Sequence, residues 1–245
     1  MKLALISDLH ANLAATEAVF ERIDALNPDA IVCMGDLVGY GPQPNEVIDL
    51  VRRRDIPCVL GNHDGAVVGS VPLRVFTEPN NTVLRWTQKN LRPDNMIWLR
   101  NLRLTMTSAD LKLLHPKFSG VDENLFYMVH ASPMQPDRWI YLNSTQLCRQ
   151  ALEIVPQTFC FVGHTHVPGV VANELGIFGL EPGYRFVINP GSVGQSRDVD
   201  RRPSFMMLDT DRYEYQLYRV EYDIEATIYA YDDIGIDEKS SRMLL

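Results

Sequence analysis

With 245 residues, 46% of them hydrophobic and 22% charged, the chain has the length and composition of a soluble globular protein, either one large domain with a full core or one domain carrying a lid. A formal net charge of −8 leaves no basic stripe for a nucleic-acid backbone and argues against a dedicated DNA or RNA binder, although a bound metal cluster would reverse the field inside a cleft. Cys33, Cys58, Cys148 and Cys160 are widely separated with no C-x-x-C pair, and neither the short apolar run after Met1-Lys2 nor any later stretch suits a signal peptide or a bilayer span. Buried free thiols in a cytoplasmic protein are the expectation.

In chain order, Leu3-Ala4-Leu5-Ile6 reads as a buried strand that ends in Ser7-Asp8-Leu9-His10-Ala11-Asn12. A helix follows, its apolar face set by Leu13, Thr16, Ala18, Val19, Phe20 and Ile23, until Asn27-Pro28 stops it. Ala30-Ile31-Val32-Cys33-Met34 is the next strand and opens into Gly35-Asp36-Leu37-Val38-Gly39-Tyr40-Gly41-Pro42. Strand, helix, strand predicts a parallel pair with both polar clusters at one edge. A second helix begins at Asn45 and leads to the run Cys58-Val59-Leu60, read as a third strand ending in Gly61-Asn62-His63-Asp64.

Residues 65 to about 102 change character, with helical stretches after Pro79-Asn80-Asn81 and after Pro93-Asp94. This helical insertion is either a lid over a site or a hairpin packed on the sheet. Strands resume at Leu104 to Met106, Leu111 to Leu114 and Leu125 to Val129, the last ending at His130. A helix over Thr145 to Ile154 precedes Phe159-Cys160-Phe161-Val162, which ends in Gly163-His164-Thr165-His166. The remainder is β-rich, with strands at Val170-Val171, Phe186 to Ile188, Phe205 to Leu208 and Tyr215 to Val220, before a short helix from about Ile224. Without repeats or a linker, residues 1–245 read as a single domain.

Asp8, His10, Asp36, Asn62, His63, His130, His164 and His166 all stand at the C-terminal ends of apolar runs, where open α/β sheets place their chemistry. Five of the six histidines are in that set; His115, in Leu114-His115-Pro116, is the exception. Five strand ends delivering His, Asp or Asn to one edge of one sheet predict a metal site. Imidazole, carboxylate and one amide oxygen, without thiolate, suit manganese, iron, zinc, nickel or cobalt. The groups are too many for one ion and divide into two sets sharing Asp36, whose carboxylate can bridge ions about 3.5 to 4 Å apart. One ion takes Asp8, His10 and His166; the other takes Asn62, His130 and His164. A water bridging two such cations becomes a hydroxide nucleophile at neutral pH, and the same cations neutralise a phosphoryl group. His63 is then free to protonate the leaving alkoxide or stabilise its charge, and Asp64 either fixes the geometry around it or stabilises a turn.

In this order the motifs Asp8-x-His10, Gly35-Asp36, Gly61-Asn62-His63-Asp64, His130 and Gly163-His164-Thr165-His166 resemble the calcineurin-like metallophosphoesterase superfamily. Asn189-Pro190-Gly191-Ser192-Val193-Gly194 and the Val38 to Pro42 segment resemble its small bacterial branch, which includes YfcE-like phosphodiesterases. The resemblance implies a two-sheet β sandwich flanked by helices, an α/β architecture of αββα layers. It also implies a dinuclear centre, the ligand roles above, and a loop near the metals at 189–194. Protein serine/threonine phosphatases of the superfamily carry an Asp-Arg pair where this chain has Gly39-Tyr40, and that Arg clamps phosphate. Its absence favours a small phosphoester, a phosphodiester or a nucleotide-type substrate, dinucleoside polyphosphates included, over a phosphoprotein. Arg197, Arg201 and Arg202 are the replacement anion contacts on offer, or else surface residues. A scaffold that keeps the fold without catalysis would show missing ligands, and a repair-type nuclease would need a basic groove; the chain shows neither.

Overall fold

Both faces of the early strands are apolar, and a computed structural model describing residues 1–234 shows where each face goes. The single domain expected over 1–245 thus extends past the described residues. The strands β1 (Lys2–Ile6), β2 (Ala30–Cys33), β8 (Ser204–Asp209) and β9 (Glu214–Arg219) form one sheet in the order β2-β1-β8-β9. β1 and β2 are parallel, with Leu3 opposite Ala30, while β8 runs antiparallel to β1. A second sheet has the order β3-β4-β5-β7-β6, from β3 (Thr105–Thr107), β4 (Phe126–Val129), β5 (Phe159–Phe161), β6 (Gly169–Ala172) and β7 (Phe186–Asn189). Its three inner strands are parallel and its edges antiparallel.

Side chains alternate across each strand, and the alternation assigns the layers. Leu3, Leu5, Val32, Met206 and Leu208 of the first sheet pack with Phe126, Met128, Phe159, Phe161, Phe186 and Ile188 of the second, filling the space between them. Ala4, Ile6 and Cys33 turn the other way, onto α1 (Leu13–Leu26) and α2 (Pro44–Arg53). Val129, Cys160 and Val187 pack on α7 (Thr145–Ile154) behind the second sheet. Two sheets face to face with helices outside are the αββα sandwich the resemblance implies. With both faces of the strands covered, the runs read as continuously hydrophobic. Each buried Phe or Leu contributes about 1.5–3 kcal/mol relative to exposure.

Two segments differ from expectation. Leu111 to Leu114, expected as a strand, belongs to α6 (Ser108–Leu114). The Thr107 side chain accepts from the Asp110 N–H at 3.2 Å while Asp110 accepts from the Thr107 N–H at 2.8 Å, a reciprocal cap that commits the segment to helix. Cys58-Val59-Leu60 makes only isolated bridges, Cys33 to Cys58 and Val59 to Arg103, so it runs beside the end of β2 without forming a strand of either sheet. The following tetrad opens a helix, α3 (Asn62–Val68), with Gly61 at its N-cap. Helices α4 (Glu78–Asn90) and α5 (Pro93–Arg100) fill most of the expected insertion, and α8 (Ile224–Ile234) closes the described chain. No described helix is long and apolar enough to cross a membrane.

Candidate metal centre

Asp8 and His10 follow β1 and Asp36 follows β2, whereas His130 follows β4 and His164 and His166 follow β5. The polar groups therefore converge from two sheets, and the expectation of a single sheet edge is corrected: packing the sandwich brings the parallel strand ends of both sheets to the same place. Asn62 arrives from the first turn of α3. The loops are cross-braced, with Asp8 N–H donating to Gly35 O, His10 N–H to Asp36 O and His164 N–H to the Asp8 carboxylate, each near 3 Å. The 189–194 segment completes the frame: Val193 and Gly194 N–H donate to Ser7 and Asp8 carbonyls, and Asn189 donates to Gly163 O at 2.8 Å.

Backbone strain marks the same residues. Asp8, His10, Asp36, His164 and His166 all have positive φ, between 48° and 65°. A non-glycine residue there costs about 1–3 kcal/mol and persists only where surrounding contacts enforce it, which is typical of functional sites. Two glycines allow the close approach. A Cβ at Gly61 would collide with the Asp36 carboxylate, and one at Gly163 would strike Ser7 Oγ and come within 2.7 Å of Asp8 Oδ2.

The ring orientations show what the centre lacks in protein partners. His10 Nδ1 donates to Val38 O at 3.1 Å and His166 Nδ1 to Gln195 O at 2.6 Å, since a carbonyl can only accept. Their Nε2 atoms nonetheless face each other at 3.0 Å. The Asp8 carboxylate lies 3.3 Å from His166 Nε2 as well, so two imidazole nitrogens and a carboxylate oxygen converge on one point, an arrangement that a cation placed among them would satisfy. His130 repeats the pattern: Nδ1 donates to Met34 O at 2.7 Å, and Nε2 stands 3.1 Å from Asn62 Oδ1 and 3.3 Å from Asp36 Oδ2. His164 uses Nε2 on Trp139 O at 3.0 Å, so its Nδ1 carries the lone pair. A ring nitrogen fixed on a carbonyl so that the other points at a metal is the usual outer support of a metal-ligating histidine. The residues thus fit divalent cations. They gather as Asp8, His10 and His166, and as Asp36, His130 and His164, with ligand atoms within 4.8 Å of one another in each group. His63, expected not to be a ligand, also lies that close to His10 and Asp36.

Burial alone would raise both acids, yet His166 and His130 hold Asp8, and His130 and His63 hold Asp36, below the usual carboxylate range. Burial opposes charge on His130 too, but the two acids push it up to about 10. Burial and neighbouring imidazoles keep His10 well below its ordinary value and bring His164 to about 3. Ionised carboxylates beside neutral imidazoles are the metal-binding protonation states, and His130 would have to give up a proton to reach them.

Around this centre lies a cavity of 560 Å³ lined by Asn62, His63, His164, Phe76, Trp139 and Tyr141 among others. His63 Nδ1 is buried without a partner, and its backbone N–H donates to Asp36 Oδ1 at 2.8 Å. Asp64 accepts from the Val38 and Gly61 N–H groups, both at 3.1 Å, tying the loop after β2 to the start of α3. Tyr40 packs edge-on against His10 at 4.6 Å between ring centres, and Tyr141 stacks on His164 at 3.9 Å. Of the three candidate arginines, Arg197 reaches the centre, donating to Tyr40 Oη at 2.8 Å. Arg201 donates to Ser196 O and Arg202 pairs with Asp200 and Glu221, away from it. The sequence reading did not single out Trp139 or Tyr141. The signal lay in their position, since Trp139 takes a left-handed conformation at φ 55° that few aromatic residues adopt. His115 pairs with Asp55 at 3.4 Å, outside the cluster.

Fold and site define an αββα protein with a buried His/Asp centre suited to divalent metal. The chain belongs to the calcineurin-like phosphoesterase superfamily, whose domain model matches residues 1–213. It is 34% identical over 234 residues to an uncharacterized protein of Methanocaldococcus jannaschii, covering 91% of this chain and 88% of the relative. A crystal structure of a metallophosphoesterase from Sphaerobacter thermophilus superposes with a TM-score of 0.80 at 33% identity, over 100% of this chain and 98% of that one. A symmetrical bis(5'-nucleosyl)-tetraphosphatase of Pseudomonas syringae is 29% identical over 108 residues, 42% of this chain and 37% of that protein.

Proposed function

We propose that the chain hydrolyses phosphoesters at a centre of two divalent cations sharing Asp36, with Asp8, His10 and His166 on one and Asn62, His130 and His164 on the other. The observation that carries this is the pair of Nε2 atoms of His10 and His166 at 3.0 Å, both rings already anchored by Nδ1 to carbonyls. When bound, such cations neutralise the phosphoryl oxygens and make water acidic enough to attack at neutral pH. The protein's part is to fix the donors: the braced loops and the first turn of α3 set seven side chains in place before substrate arrives, which is where preorganised electrostatic catalysis has its effect.

His63 lines the cavity and faces the leaving group in this reading. Burial, against the pull of Asp36, holds its ring down to about 4, so the free site presents neutral imidazole. The negative charge of a bound phosphoester is what would draw a proton onto it for transfer to the departing oxygen. Asp64, raised to about 7 by burial and then by Asp36, acts through its backbone contacts to keep Gly61 and Val38 in register and so positions Asn62 and His63. The similarity to a symmetrical bis(5'-nucleosyl)-tetraphosphatase supports a small nucleotide-type substrate.

Metal analysis and hydrolysis of a chromogenic phosphodiester with added manganese test the proposal. Asp36→Ala should release metal and abolish turnover. His63→Ala should retain metal and lose roughly 10²–10⁴-fold in rate, the usual contribution of a positioned acid. Metal binding with no turnover of any phosphoester would favour the scaffold reading, and full activity of His63→Ala would remove the proton-donor role.

A further inference from the structure

The phosphate-clamping arginine of the related phosphatases is missing at position 40, and the fold supplies a guanidinium there by another route. Tyr40 is buried beside His10 and His63, at 4.6 and 4.7 Å between ring centres, and lines the cavity together with His63. That hydroxyl accepts from Arg197 Nη2 at 2.8 Å and meets the Asn80 amide at 3.3 Å. The Arg197 guanidinium carbon also lies 5.7 Å from the Tyr40 ring centre. The guanidinium is thus held on a tyrosine that lies against the candidate metal ligand His10.

Two features of this group call for a ligand. Among the described residues Arg197 has no ion pair, although the same loop pairs Arg202 with Asp200 and Glu221, and Arg219 with Asp198. Its protein partners are neutral oxygens, the Tyr40 hydroxyl and Gln195 Oε1 at 3.2 Å, and the side chain is exposed, so its charge is open to an incoming anion. Asn80, which lines that cavity and is only 9% exposed, has a buried amide oxygen with no partner. If the amide is turned so that the oxygen accepts from Tyr40, the NH₂ group becomes the one left unpaired, so a polar atom is available to a ligand in either orientation.

Resting on the hydrolytic reading above, we propose that Arg197, carried on Tyr40 and assisted by Asn80, is the anion contact that selects a phosphoryl group bearing two negative charges. Such a group is found in a monoester or at the end of a polyphosphate. A singly charged diester is neutralised by the metal centre alone and gains little from a further cation, whereas a dianion retains an oxygen for the guanidinium. The helical insertion then contributes to recognition through Asn80, a fixed wall residue.

The test compares metal-loaded wild type, Arg197→Ala, Arg197→Lys and Tyr40→Phe. The readouts are metal content, calorimetric binding of inorganic phosphate, and hydrolysis of p-nitrophenyl phosphate and bis(p-nitrophenyl) phosphate. Arg197→Ala should keep its metal, bind phosphate roughly ten- to hundredfold more weakly, the loss of a charge-assisted hydrogen bond, and raise KM for the monoester far more than for the diester. Arg197→Lys should restore part of the affinity, and Tyr40→Phe should weaken phosphate severalfold. Unchanged phosphate affinity in Arg197→Ala, equal losses for both esters, or loss of metal from that variant would each overturn the proposal. Phosphate binding that depends on Arg197 in a protein that hydrolyses neither ester would uphold the clamp and defeat the hydrolytic reading instead.

Discussion

At the scale of the residue, the centre is defined by atoms that would be unfavourable anywhere else. Five left-handed non-glycine residues and two facing imidazole nitrogens are tolerated because the loops around them are braced on each other's carbonyls. Gly163 is where this is easiest to test. Gly163→Ala should push a methyl group into Ser7 and Asp8 and cost about 10–100-fold in metal affinity, read by competition with a chromogenic chelator. Gly176→Ala is the control: its φ is also unfavourable at +84°, but nothing lies within 4 Å of the added carbon. It should cost about 1–2 kcal/mol in denaturant unfolding and leave metal affinity unchanged. Residue types were legible at this scale, since His, Asp and Asn after apolar runs announce a metal site. The tautomers were not, because which ring nitrogen is free depends on carbonyls such as Met34 and Gln195 that come from distant parts of the chain.

At the scale of the element, the helices between the third and fourth ligand-bearing segments bear on whether they move. Leu84, Leu91 and Leu99 are buried in the helix-side core. Asn95, wholly buried, bonds to Asn45 and Asp49 of α2, and Gln88 bonds to Ala66 O of α3. We expect α4 and α5 to behave as a packed hairpin, with amide exchange as slow as in α1. Leu84→Ala should cost about 2–5 kcal/mol, measured by denaturant unfolding. Exchange in α4 and α5 orders of magnitude faster than in α1 would restore the lid. Most helices were legible from periodicity and stop signals, and α7 falls on the expected Thr145–Ile154. Where elements were misread, a local contact outweighed the pattern: the Thr107–Asp110 cap made α6 a helix, and the isolated bridges of Cys58 and Val59 replaced a strand.

At the scale of the whole molecule, the two sheets are held face to face by a common aromatic and aliphatic core, and the candidate ligands sit where their parallel strands end. Each sheet therefore brings a share of the centre, and metal occupancy and sandwich stability must be linked. Chelation should lower the melting temperature. At a free metal concentration 100 times Kd the linkage is worth about 2.7 kcal/mol, or roughly 5–10 °C for a chain of this size, measured by calorimetry with and without chelator. Asp36→Ala should melt at the same temperature in either condition.

The sequence by itself determined the strand cores, the main helices and, through motif order, the superfamily, and it singled out the candidate metal-seeking residues. Those properties are encoded locally, in runs, spacings and residue chemistry. Only the tertiary structure decided that the candidate ligands come from two sheets, that Arg197 bonds to Tyr40 beside the site, and that Trp139 and Tyr141 hold His164. Each of those contacts joins segments tens to more than a hundred residues apart, and such neighbours are created by the packing of the two sheets.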